Sequence, residues 1–451
     1  MPLSLGGSVG EQAVAAAAAL VVAGRAAGVV AVAAARFQTS VLPSRVQVST
    51  AHAKRRIQDE FLGPDWACVP RLLRNRRRHI TERAVPGRPA PTGGEAMSTA
   101  RSTHAGAIAF DEQRLDALAA RLGAHPVIAG GVLGLVDVDG RTAVRAFGSA
   151  GTTAAPEPMR PDHRLLLTSP TKTFTATQAL LLAQDGLLDL DAPVADYLPE
   201  FAANGKERVT TRHLLTHSSG IDLATNTTEG PPTRATPADH LAEAVAAGLS
   251  FDPGAHFQYC SPGFWVLAEL VTRISGLDYT AHLRQRILAP LGLDDTRYEP
   301  GSDVPERYAP SRMDRRGHLE HYVRRLAYPA GGLITTAGDL LRYAQGYLGG
   351  GEPRLLGPAL LDAVRRPQSE GWMNGYPAVW GLGWQLGGPG DLRTPHSLFQ
   401  YGASGTCIQV DQERGVAVVL LTATWFLSWR IYAEVLNGAF GCVVSSGGST
   451  R

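Results

Sequence analysis

Between Asp111 and Leu122 the apolar positions Leu115, Leu118, Ala119 and Leu122 fall on one face of a helical wheel, so the spacing predicts a helix there. Two apolar, β-rich runs follow, Gly131 to Val138 and Thr142 to Gly148, separated by Asp139-Gly140, a strong short hairpin signal. Near the other end, Cys407 to Val410 and Val416 to Thr422 flank a polar turn, Asp411 to Gly415, and predict a second hairpin, with a helix from about Ser428 to Leu436 behind it. The long middle, about Thr168 to Tyr347, is mostly helical in pattern and punctuated by Gly and Pro. It shows no regular alternation of strand and helix and no internal repeat. The chain is therefore expected to be α+β: an antiparallel β-sheet formed from both chain ends, with flanking helices and a mostly helical inserted subdomain at about 168–345. A doubly wound parallel sheet does not fit this order.

Composition supports a folded chain. Of 451 residues 44% are hydrophobic and 19% charged, which excludes a wholly disordered or fibrous protein. Four cysteines, Cys68, Cys260, Cys407 and Cys442, stand far apart without a CxxC pair, which argues against a disulfide scaffold or a zinc ribbon. The formal charge of +2 gives no chain-wide reason to expect nucleic acid. That total hides two unlike parts, because residues 1–105 carry 14 basic and 6 acidic residues while the remainder carries 29 and 35. The basic part opens with an Ala/Val-rich stretch broken by Arg25, with no Lys or Arg before it, a pattern that argues against a signal peptide or membrane anchor. Its arginine cluster, Arg71 to His79, lacks aromatic interleaving and reads as a solvated charge run. The expected organisation is a basic, disordered leader over 1–105, or an upstream start with Met97 as the true beginning, followed by one folded domain over 106–451. A start near Met97 implies a cytoplasmic protein; a native leader leaves export as the alternative.

Only three of the 43 basic residues are lysines, Lys54, Lys172 and Lys206, so a lysine that remains is more strongly marked than usual. One of them lies in Ser169-Pro-Thr-Lys172. Pro170 suits a first helical turn and Gly186 a C-terminal stop, which puts Ser169 at a helix N-terminus and Lys172 one turn on, on the same face. Free N–H groups and the positive dipole end there favour a developing oxyanion. A serine hydroxyl needs a base, and a lysine serves if burial holds it neutral; Leu165 to Leu167, Phe174 and Leu180 to Leu182 supply apolar surroundings. The plain alternative is a capping serine followed by an ordinary surface lysine.

The ordered motifs that follow decide between them. Gly186 to Val194, Thr211-Arg-His-Leu-Leu-Thr-His-Ser-Ser-Gly220, Phe257-Gln-Tyr259, Ala330 to Thr336 and Gly381-Leu-Gly-Trp384 accompany the S-x-x-K segment. From about residue 110 to 440 the chain resembles the serine β-lactamase and penicillin-binding-protein superfamily, in particular the class C β-lactamase-like group with its DD-peptidases and family VIII esterases. The resemblance implies Ser169 as nucleophile, Lys172 as base and Tyr259 as partner base and proton shuttle, the last with a pKa lowered by the nearby cation. It implies an oxyanion hole from the N–H groups of Ser169 and Ala403, and substrate contacts from Ser261, Gln400, Tyr401 and Gly402. Two of these depart from the pattern. Ser261 replaces an asparagine, and Gln400 replaces a lysine or histidine that would anchor a substrate carboxylate. Loss of that anchor shifts the expected substrate from β-lactams and D-Ala-D-Ala peptides towards esters or amides without a carboxylate, unless Arg393 or His396 compensates.

His213 and His217 stand four apart in a helical pattern, but no HExxH arrangement surrounds them and a structural role is the expectation. From residue 106 on there is no G-x-S-x-G elbow, Gly402-Ala-Ser-Gly405 having the wrong spacing, and no phosphate-binding glycine loop is present. The expected protein is thus a serine hydrolase working through an acyl-enzyme on a small-molecule ester, amide or lactam, without metal or cofactor and without nucleic-acid or membrane partners. The rival from another class is a catalytically weak binding or regulatory protein on the same fold.

Overall fold

A computed structural model describes residues 108–150, 157–222, 236–298, 307–310, 323–324, 326–349 and 354–445. The leader over 1–105 and Met97 lie outside the described residues.

The first elements are β1 (Ile108–Phe110), α1 (Glu112–Gly123), β2 (Gly130–Asp137) and β3 (Thr142–Gly148). The Asp111 side chain caps α1 by accepting from Arg114 N–H at 3.0 Å, and Leu115, Leu118, Ala119 and Leu122 are its buried face, as the periodicity requires. The middle contributes β4 (Leu165–Leu166), α2 (Thr171–Gln184), α3 (Thr211–Leu215), α4 (Pro237–Ala246), α5 (Pro262–Ser275), β5 (Arg297–Tyr298), β6 (Leu333–Thr335) and α6 (Ala337–Gln345). The last part holds β7 (Ser369–Met373), β8 (Tyr376–Trp380), β9 (Gln385–Leu386), β10 (Leu398–Gly402), β11 (Thr406–Asp411), β12 (Val416–Thr422), α7 (Trp429–Phe440) and β13 (Val443–Ser445).

Eight strands form one antiparallel sheet in the order β3-β2-β12-β11-β10-β9-β8-β7, so the N-terminal hairpin pairs with the C-terminal one through β2 and β12, Leu133 opposite Leu420. Both chain ends thus build the sheet, as the pattern predicts. β2 and β12 are buried along their whole length, because α1 and α7 cover one face and α6 the other. Two cores result. One lies between the sheet and the helical middle and includes Phe174, Phe264, Tyr343 and Trp384; the other lies under α1 and α7 and includes Leu115, Phe399 and Val435.

The structure adds elements that the pattern does not announce. A small sheet of order β4-β6-β5 sits within the helical middle, made of strands of two or three residues, too short to show alternation. β7 to β9 extend the main sheet beyond β10, where the sequence carries no run of buried alternation.

Candidate active site

The Ser169 segment is placed by strand β4, which pairs with β6 and leads directly into α2. Between them Thr168 adopts φ +51, a left-handed conformation rare for a β-branched residue. That turn leaves Ser169 half-buried, two residues before the helix, while Lys172 inside the first turn is only 2% exposed. A reachable hydroxyl and a sealed amine are what a serine with a lysine base requires.

Lys172 Nζ lies 3.4 Å from Ser169 Oγ and donates to the Ala330 carbonyl at 2.9 Å. Burial pushes its pKa down from 10.5 to about 7, only weakly opposed by the Cys260 thiol. The segment that supplies Ala330 is itself fastened to α2: Thr175 Oγ1 donates to the Pro329 carbonyl at 2.7 Å, and Leu333 N–H donates to Thr171 Oγ1 at 3.2 Å.

Tyr259, in the loop before α5, is hydrogen-bonded to the Ser169 hydroxyl, and its ring centre is 4.9 Å from Lys172 Nζ. Its phenol is not lowered as expected. Burial raises its pKa well above the ordinary value, more than its hydrogen bond to Ser169 offsets. The two groups that the resemblance makes joint bases are therefore separated: the amine is the one poised to take a proton near neutrality, and the phenol is a neutral donor. Ser261 follows Cys260 at the N-cap of α5 without a capping side-chain bond.

Strand β10 approaches from the other side. A Cβ on Gly402 would stand 2.2 Å from Thr168 Oγ1 and 2.3 Å from the Leu167 carbonyl, so glycine is required for the strand to close on the Thr168–Ser169 turn. Thr168 stitches the two together, donating from Oγ1 to the Leu167 carbonyl at 2.7 Å and accepting from Ser404 N–H at 3.1 Å. Ser404 Oγ donates to the Leu166 carbonyl at 2.7 Å and Thr406 Oγ1 to the Leu167 carbonyl at 2.6 Å. This network sets the spacing between the backbone of Ser169 and that of Ala403. Sequence reasoning passed over Thr168; the available signal was a polar residue directly before Ser169, after the apolar run Leu165 to Leu167.

Gln400 is fully buried on β10. Its Oε1 accepts from Tyr401 N–H at 3.1 Å, and its Nε2 has no partner among the described residues. Tyr401, one residue on, points to the other face by strand alternation and packs with Phe399, Trp429 and Tyr432. Its hydroxyl accepts from Asn374 Nδ2 at 2.7 Å. The suggested compensating charges are elsewhere: Arg393 donates to the Gly388 and Thr394 carbonyls in the loop before β10, and His396 is exposed in that loop. The Ala403 carbonyl accepts from Phe426 N–H at 2.7 Å, and the Phe426 ring is 74% exposed.

His213 and His217 do not form a pair. His213 completes a capping box on α3, its Nδ1 accepting from Thr210 N–H at 3.1 Å, whereas the helix ends at Leu215 and His217 lies beyond it with φ +56. Among the described residues no group of three or more His, Cys, Asp or Glu side chains is arranged to hold a metal ion, and no helix is long and apolar enough to cross a membrane.

A family model described as Beta-lactamase matches residues 115–430. Esterase EstB of Burkholderia gladioli is 32% identical over 334 residues, which cover 62% of this chain and 82% of that protein. Penicillin-binding protein 4 of Amycolatopsis lactamdurans is 31% identical over 299 residues, covering 60% and 75%. Among solved structures, EstCE1, a hydrolase with promiscuous acyltransferase activity, superposes with a TM-score of 0.63 at 21% identity over 73% of this chain and 98% of that one. The D-amino acid amidase of Ochrobactrum anthropi SV3 gives 0.62 at 24% identity, covering 73% and 97%. At these identities the two structural matches establish the fold.

Proposed function

Because the chain belongs to the Beta-lactamase family and is a serine hydrolase of that kind, we propose that it hydrolyses carboxylate-free esters through an acyl-enzyme on Ser169. The observation that carries the nucleophile assignment is the buried Lys172 amine, 3.4 Å from Ser169 Oγ with its pKa brought to about 7.

In this reading Lys172 takes the Ser169 proton as the serine oxygen attacks the ester carbonyl carbon. The N–H groups of Ser169 and Ala403 hold the oxyanion. When the tetrahedral intermediate collapses, the alkoxy group leaves with the Tyr259 proton, and the ammonium of Lys172 restores it, returning the amine to neutrality. Water then attacks the acyl carbonyl, giving its proton to the same pair, and Ser169 recovers its own as the acid departs.

Substrate preference follows from three residues. Gln400 is neutral at every working pH, so a carboxylate at this position lacks a charge-assisted bond, a loss of about 1.5–3 kcal/mol. Ser261 offers a single hydroxyl where an amide side chain would both donate and accept. Phe426, hydrogen-bonded to Ala403 through its backbone, presents an apolar ring suited to an alkyl or aryl group.

The test is a set of paired substrates: an uncharged p-nitrophenyl ester, the same ester bearing a carboxylate, and a chromogenic cephalosporin, each with the parent and Ser169→Ala. Ser169-dependent turnover should be fastest on the uncharged ester. Faster cephalosporin turnover would make the protein a β-lactamase instead, and none on any substrate would leave a binding protein on this fold.

A further inference from the structure

His217 occupies the left-handed position just past the C-cap of α3, with φ +56. Glycine is the residue that position favours, because an L side chain is strained there. A histidine takes up a strained backbone where the local fold asks only for a glycine, and observed strain of this kind points towards function.

What the histidine does is visible around Tyr259. Its backbone carbonyl accepts from Gln258 N–H at 2.8 Å, and its Nδ1 accepts from Cys260 N–H at 3.0 Å. The residue thus holds the chain on both sides of the tyrosine. Its ring, 1% exposed, lies 4.4 Å from the Tyr259 ring at 33°, with Trp380 edge-on at 4.6 Å and Phe264 at 5.5 Å. Phe264 is also 5.5 Å from Lys172 Nζ, so one aromatic wall serves the histidine and the base together. An accepting Nδ1 makes the ring the neutral Nε2–H tautomer. Burial, and then the charge of Lys172, hold its pKa well below the ordinary value. Nε2 has no partner among the described residues, so the ring orientation is set by the Nδ1 bond and the aromatic walls.

We propose that His217 is a positioning residue for the reaction: by its hydrogen bonds to Gln258 N–H and Cys260 N–H it grips the backbone on either side of Tyr259 and so aims the phenol at Ser169. The proposal rests on the serine-hydrolase reading of Ser169, Lys172 and Tyr259. It assigns His217 no proton transfer.

Two variants of the full chain separate positioning from core filling. His217→Asn tolerates the left-handed backbone and puts Oδ1 in the place of Nδ1, so it keeps the acceptor without the ring. His217→Phe keeps a ring and loses the acceptor. Measured are kcat and KM on an uncharged p-nitrophenyl ester, the pH profile of kcat/KM, and amide hydrogen exchange at Cys260. His217→Phe should lose about 100-fold in kcat with little change in KM, the scale on which small misplacements act. The acid limb near pH 7 should stay in place, since Lys172 remains the base. Cys260 exchange should quicken at least ~10-fold, as expected when a buried amide loses its acceptor. His217→Asn should keep kcat within about 5-fold of the parent, together with its protection at Cys260. If His217→Phe gives no cooperative thermal transition, His217→Gly, which relieves the strain and also removes the acceptor, takes its place with the same expected losses. Parental kcat and protection in the Phe or Gly variant, or an Asn variant as impaired as they are, would overturn the proposal. Should the parent itself show no Ser169-dependent turnover, the hydrolase reading fails separately, and the exchange pattern alone decides whether His217 clamps the Tyr259 segment.

Discussion

Replacing Lys172 by methionine should make the protein more stable at neutral pH while abolishing turnover. Burial lowers the lysine pKa from 10.5 to about 7. At ~1.4 kcal/mol per unit, holding an ammonium-capable group at this place costs the folded state on the order of 4 kcal/mol at pH 7 relative to a neutral side chain. Loss of the bond to the Ala330 carbonyl offsets about 1–3 kcal/mol of the gain. The sharper observable is the slope. Between pH 7 and 10.5 the unfolded chain carries a proton on Lys172 that the folded chain has released, so this group makes stability rise with pH, by up to ~1.4 kcal/mol per unit, until the unfolded lysine also deprotonates. Urea unfolding of parent and Lys172→Met at pH 7.5, 8.5 and 9.5 isolates the effect, since other titrating groups are common to both. The parent should gain about 2 kcal/mol on the variant across that range. In the parent, kcat/KM should rise along an acid limb centred near pH 7 as the amine becomes neutral. Parallel stability curves for the two proteins would refute the reasoning, because they would mean that Lys172 keeps its proton in the folded state.

The other predictions concern the supports of the site. Thr168→Val should leave Ser404 N–H without its acceptor and lower both stability, by about 1–3 kcal/mol in chemical denaturation, and kcat, while Thr168→Ser stays near the parent. Gln400→His should raise kcat/KM for a carboxylate-bearing ester relative to its uncharged twin by roughly 10-fold or more at pH 6. Phe426→Ala should raise KM for esters with long alkyl or aryl groups and leave acetyl esters nearly unchanged, as a plot of kcat/KM against chain length would reveal. Lys206, whose buried ammonium donates to the carbonyls of Ala203, Val245 and Ala247, has a structural role; Lys206→Met should cost about 3 kcal/mol in thermal unfolding and leave the pH profile of kcat/KM unmoved.

Much of the site was legible because it is local. Pro170, Lys172 and Gly186 announce a helix start, a side chain one turn on and a stop, and α2 follows that plan. The lysine scarcity drew attention to two residues whose amines the structure buries: Lys172 donates to the Ala330 carbonyl, and Lys206 to the carbonyls of Ala203, Val245 and Ala247. What stayed hidden depends on tertiary packing or on backbone conformation. Burial raises the Tyr259 pKa, and no spacing rule carries burial. Thr168 and His217 both sit at positive φ, which residue type argues against. His213 and His217 look like a helical i, i+4 pair only until α3 stops at Leu215 and the left-handed turn sends the second ring to Tyr259. The strands β4 to β6 are too short for a period, and the turn of the Tyr401 ring to the face opposite Gln400 shows only once β10 is placed in its sheet.

The central claim, that Ser169 is the nucleophile activated by Lys172, is tested most directly by a fluorophosphonate. Intact-mass and peptide mapping of the parent, Ser169→Ala and Lys172→Met after brief exposure should give one phosphonyl group on the Ser169 peptide of the parent. The alanine variant should give none, and the methionine variant a rate at least ~100-fold lower. A parent that remains unmodified, or a phosphonyl group that persists in Ser169→Ala, would contradict the account.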